Sequence, residues 1–128
     1  MSLPITSLLT GVFVIMMVIL ALQVSLCRQK LRVSLGDGND EALRRKIRAH
    51  GNFAEYVPLA LIGLALIESA GGSVQFVSKL AVALLTSRII HAIGIVHFKA
   101  ATPRVIAMVM QNTVFISMGI WLLASYLK

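Results

Sequence analysis

Acidic residues are scarce in this 128-residue chain: five Asp and Glu stand against twelve Lys and Arg. Charged residues of both signs make up 13% of it, too few to clothe a water-soluble domain. Cys27 is its one cysteine, which excludes an internal disulfide and a cysteine metal cluster. It reads as a small apolar residue at a helix end. Three prolines and nine glycines leave no Pro- or Gly-rich linker, and neither a repeat nor a second domain is visible. His50, His91 and His97 lack ligand spacing, so no metal site is expected. The net charge of +7 would suggest nucleic acid in a soluble protein, but no recognised reading motif accompanies it. The basic residues sit mostly in one segment between apolar runs, which points to membrane topology and not to a nucleic-acid partner.

Apolar sequence is what the chain has in excess. Hydrophobic residues make up 58% of it, and its mean hydropathy is +0.88. This is more than a soluble domain of this length can hide, so the expected solvent is lipid. Four apolar segments predict helices at about 4–27, 45–70, 73–98 and 103–127. They form one domain over 1–128: an all-α integral membrane protein, a left-handed four-helix bundle. The first run carries no charge and no basic flank precedes it, so it reads as a retained anchor and not a cleaved signal. Gly71-Gly72 stops the second helix, and Pro103 fits the first turn of the fourth. Asp40-Glu41 looks like an acidic first turn leading into Arg44. Short second and third connections predict antiparallel neighbours.

Orientation follows from the basic loops. The first holds Arg28, Lys30, Arg32, Arg44, Arg45, Lys46 and Arg48; the third holds Lys99 and Arg104; the other side has Lys79 and Lys128. The positive-inside rule therefore puts the first and third loops in the cytosol and both termini outside it.

Several polar residues interrupt the apolar runs. Arg48, Asn52 and Glu55 stand at i, i+4 and i+7, one face of a helix, and Arg45 extends that stripe. Arg88 and His91 share a face of the third helix. An arginine or aspartate at mid-membrane costs about 2.5–3.5 kcal/mol on insertion scales, and a glutamate should be similar. Pairing Glu55 with Arg88 would offset much of that cost, with both stripes turned into a shared interior. Arg48, Arg88 and Arg104 outnumber the one matching carboxylate, Glu55, so a cytosol-facing cleft that takes an anionic solute is expected. The simpler alternative is a buried ion pair that sets helix register. Glu68 reads as an interfacial residue, Trp121 and Tyr126 as an aromatic belt, and Gln111 and Asn112 as candidates for bonds between helices.

The stretch Arg48-Ala49-His50-Gly51-Asn52-Phe53-Ala54-Glu55-Tyr56-Val57-Pro58 resembles the signature of the MAPEG family, the membrane-associated proteins in eicosanoid and glutathione metabolism. That signature reads approximately R-A-x-x-N-x-x-E-x-x-P, and all five fixed positions are present. Leu22-Gln23-Val24 with Arg28 and Arg32-Val33-Ser34 is similar to the end of the family's first helix. Ser87-Arg88-Ile89-Ile90-His91 is similar to its third-helix element, and Pro103-Arg104 to the basic start of its fourth. The chain departs from the pattern at Gly51, Gln29 and Ile95, where members carry a basic residue, a second arginine and a tyrosine respectively.

The resemblance implies a homotrimer in a bacterial inner membrane, with glutathione as co-substrate held between subunits. By the same resemblance Arg28, Arg48, Asn52, Glu55, Tyr56, Arg88 and His91 bind the tripeptide, and Arg104 is the catalytic residue that stabilises its thiolate. The implied activity is that of a glutathione transferase or peroxidase, whose thiolate attacks a hydrophobic small-molecule substrate arriving through membrane lipid. Residue chemistry agrees. Arginines suit the carboxylates of glutathione, Glu55 suits its ammonium, and a guanidinium lowers a thiol pKa that is ordinarily near 8.5. Two other readings remain open. A small four-helix multidrug-type transporter fits the length, although such proteins place their glutamate in the first helix. A non-catalytic membrane scaffold would use the polar face only for assembly.

Overall fold

The computed structural model describes residues 2–98 and 100–127. Four helices account for nearly all of them: α1 Pro4–Leu31, α2 Glu41–Ser69, α3 Val74–His97 and α4 Thr102–Tyr126. Each is long and apolar enough to cross a membrane. A spanning segment must satisfy its backbone internally, which an apolar helix does turn by turn.

The helix ends follow local chemistry. Pro4 opens α1, where its missing N–H breaks no bond, and Pro103 opens α4 in the same way. The Asp40 carboxylate accepts from the Leu43 N–H at 2.7 Å and caps α2, which therefore starts four residues earlier than the apolar run suggests. The Ser73 hydroxyl caps α3. At the end of α2, Gly71 (φ 85°) takes the left-handed conformation, and the N–H groups of Gly71 and Gly72 donate to the Glu68 and Ile67 carbonyls. This is a Schellman stop. α1 outruns the expected boundary because Arg28 and Lys30 favour its C-terminal dipole. It stops at Arg32, which adopts φ 55°.

α2 packs against α1 and α3, and α3 against α4; α2 meets α4, and α1 meets α3, only lightly. The core of the bundle is built on Phe13 against Phe53 (edge-on, 5.5 Å) and on Leu64, Ile67, Leu84, Val114 and Met118. Buried Ala49, Ala60, Gly63, Ala81, Gly94 and Ala107 bring the backbones close, the usual device where lipid supplies no hydrophobic drive between helices. Leu8, Val14, Ile15, Val18, Leu59, Ile62, Ile116 and Ile120 face outward.

Glu68 is not a free interfacial residue. Its two carboxylate oxygens accept from the Ile5 and Thr6 N–H groups at 3.0 and 2.9 Å, so α2 caps the uncapped start of α1. Trp121 stacks on Phe76 (6.5 Å), while Tyr126 is exposed. One end of the bundle gathers Arg28, Lys30, Arg32, Arg44, Arg45, Lys46, Arg48 and Arg104; Lys79 is at the other. Lys99 and Lys128, which enter the charge asymmetry of the sequence, lie outside the described residues.

Candidate functional site

At the basic end α2, α3 and α4 line a cleft of about 730 Å³. α2 contributes Glu41, Arg44, Arg45, Arg48 and Asn52, successive turns of one face. α3 contributes His91 and Ile95, one turn apart, and α4 contributes Arg104, Met108 and Asn112 at intervals of four. The mouth is cationic. Ile95, Val105, Met108 and Val109 make an apolar wall, of which Val105 and Val109 are themselves exposed.

The arginines differ in what they already hold. Arg44 donates to Asp37 at 2.6 Å. Arg45 bonds Glu41 and reaches across to the Phe98 carbonyl at 3.2 Å, which ties α2 to the end of α3. Neither Arg48 nor Arg104 makes an ion pair among the described residues. The Arg104 Nε is buried without a hydrogen-bond partner among them. Two guanidinium groups therefore belong to the cleft with no ion pair among the described residues, which favours an anionic guest.

Four of the residues expected at the site converge here: Arg48, Asn52, His91 and Arg104. Four do not line the cleft of a single chain. Arg88 is 2% exposed and sits behind Asn52, whose Oδ1 accepts from its Nη1 at 2.9 Å. The expected Glu55–Arg88 pair is absent: Asn52 partners the arginine, and Glu55 lies on the exposed side of α2 with Leu59 and Ile62. Helix phase explains this, since position 55 lies about 60° around α2 from position 52 at 3.6 residues per turn, enough to turn it away from the α3 seam. Tyr56 turns toward α4, stacked on Phe115 (6.1 Å) with the Arg88 guanidinium 5.9 Å over its ring. Arg28 donates to the Gly36 carbonyl at 3.3 Å and holds the first loop.

Sequence reasoning passed over Glu41, Arg44 and Asn112 as cleft residues. Their signal was present: 41, 44, 48 and 52 share a face, as do 104, 108 and 112.

Fold and site together define a multi-pass membrane protein of four antiparallel helices with a cation-lined cleft at its basic end. A model of the MAPEG family matches residues 6–124, nearly the whole length. The chain belongs to the MAPEG family. It is similar to the inner membrane protein YecN of Escherichia coli, in strain K12 and in an O6:H1 strain, at 36% identity over 70 residues. That alignment covers 55% of this chain and 53% of YecN, so the chain spans about half the length of the curated relatives it matches. No solved structure matches it.

Proposed function

We propose that the cleft binds glutathione as co-substrate and that the protein is a glutathione transferase or peroxidase of the inner membrane. The observation that carries this reading is the convergence of Arg48, Asn52, His91 and Arg104 on one cleft in a family of glutathione and eicosanoid metabolism. The residues present fit the tripeptide. A cleft of about 730 Å³ lies within the usual range for small-ligand sites, roughly 300–1,000 Å³. Arg48 and Arg104 supply positive charge and make no ion pair among the described residues.

In the mechanism, Arg48 binds a glutathione carboxylate and Asn52 donates to it. Arg104 stands at the start of α4 beside the apolar wall, where its guanidinium stabilises a thiolate. A hydrophobic electrophile enters from the lipid along Ile95, Met108 and Val109. With an aryl halide the thiolate sulfur forms a bond to carbon and halide leaves. Arg28, Tyr56, Arg88 and Glu55 act from outside the cleft of one chain. Glu55 lies about 10 Å along α2 from Arg48 at 1.5 Å per residue, on an exposed apolar face. A carboxylate there is costly against lipid, which supports its cover by a second copy in a homotrimer. Glu55 and Arg28 would then reach glutathione across the subunit boundary.

The test is thermal protection by glutathione of the detergent-purified protein, with conjugation to a generic aryl halide followed beside thiolate absorbance. Glutathione should raise the unfolding midpoint, and Arg48→Ala should remove the shift. Arg104→Ala should keep binding but lose thiolate absorbance and turnover. No protection of the native protein at millimolar glutathione would sink the reading.

A further inference from the structure

We propose that Arg88 is a positioning residue that acts through Asn52: it holds the Asn52 carboxamide with its oxygen inward, so that the NH2 faces the cleft. An amide oxygen and nitrogen differ only in what they bond, and here the bond decides. Arginine has donors and no acceptor, so the atom 2.9 Å from its Nη1 must be the oxygen. With Oδ1 held by Arg88, the amide presents a donor and not an acceptor to the space between Arg48 and Arg104.

The arginine is itself held. It is 2% exposed, its Nε lies 3.4 Å from the Ser87 hydroxyl, and its guanidinium sits over the Tyr56 ring. The Ser87 hydroxyl in turn donates to the Leu84 carbonyl at 2.8 Å. Asn52 is 8% exposed and lines the cleft, whereas Arg88 does not. An intramembrane arginine would thus serve the site without touching the ligand. It sets the polarity of one wall, because a free amide could turn its oxygen toward an incoming carboxylate and repel it. The effect on binding rests on the glutathione reading above; the amide orientation rests on the bond alone.

The experiment compares Arg88→Met, Arg88→Gln and Asn52→Asp with the native protein, in detergent and with assembly checked by gel filtration. One readout is the side-chain amide signal of 15N-labelled Asn52; the other is glutathione binding by calorimetry. Arg88→Met should collapse the Asn52 signals toward those of a free amide and weaken glutathione by about tenfold or more, the scale of one hydrogen bond to a charged group. Arg88→Gln keeps a donor and should restore much of both. Asn52→Asp should stay assembled through Arg88 yet lose binding, since an anionic acceptor replaces the donor. Unchanged Asn52 signals in assembled Arg88→Met overturn the proposal, as does native-like binding by Arg88→Met or Asn52→Asp. If Arg88→Met does not assemble, Arg88→Gln decides by the same two readouts and Asn52→Asp by binding alone. Failure of the native protein to bind, with Asn52 signals still governed by Arg88, removes the glutathione reading and leaves the positioning intact.

Discussion

At the start of α1 the chain has no capping side chain of its own, and Leu3 offers none. Glu68, 62 residues away from Thr6, supplies two carboxylate bonds to the first-turn N–H groups. Replacing a capping side chain by alanine commonly costs about 0.5–2 kcal/mol, and a helix N-terminus further favours an anion. Glu68→Ala should therefore lower the thermal midpoint in detergent, and Glu68→Gln, which keeps one acceptor oxygen, should lower it less. Equal loss in the two variants would show that the capping bonds contribute little. A second residue-scale test concerns the exposed first loop. The Arg44 hydrogen bond holds the Asp37 carboxyl below its ordinary value of 3.8, helped by the Asn39 N–H. A carboxyl with a lowered pKa stabilises the folded loop above that ordinary value, and the contribution is lost as pH falls through the folded one. Carbon-detected titration of Asp37 should show the low value and its return toward 3.8 in Arg44→Gln.

Between elements, the α3–α4 contact is set by what is missing from Gly94. A Cβ there would meet the Pro103 Cβ at 3.1 Å and the Arg104 Cγ at 3.4 Å. Neither neighbour is the loose end of a side chain, so α4 itself would have to move. Gly94→Ala should cost about 1–3 kcal/mol, the usual range for overpacking, and displace Arg104 from the cleft. Gly63 makes the control. Its added Cβ would meet the Met118 Sδ at 3.3 Å, and a thioether end can swing aside. Gly63→Ala should be milder and leave thiolate absorbance unchanged, whereas Gly94→Ala should reduce it. Identical behaviour would mean that the close approach at Gly94 does not place Arg104.

For the whole molecule, the cleft opens at the end that carries the basic residues, so site orientation and membrane orientation are one question. The positive-inside rule predicts that this end faces the cytosol. Single cysteines at the exposed positions Ser34 and Gln75, in a Cys27→Ser background, test it with an impermeant maleimide. Ser34→Cys should label only in inverted vesicles and Gln75→Cys only in right-side-out ones. The reverse pattern would place the cleft on the far side and remove its access to cytosolic glutathione.

Four membrane helices, their order and their polar stripe were legible in the sequence, because hydropathy and helical period are properties of neighbouring residues. The Asp40 cap and the Gly71-Gly72 stop were equally local. The signature from Arg48 to Pro58 pointed to the family and to Arg48 and Asn52 as cleft residues. What sequence could not tell was which members of a stripe meet. Glu55 and Arg88 have matching depth and opposite charge, yet the roll of α2 about its axis gives the arginine to Asn52 and turns the glutamate outward. The same holds for Glu68, whose partners lie at the far end of the chain, and for Asn112, which joins the site only through the packing of α4 beside α2 and α3. Spacing along one helix is written in the chain, whereas the rotation and tilt of one helix against another come from side-chain packing across the whole bundle.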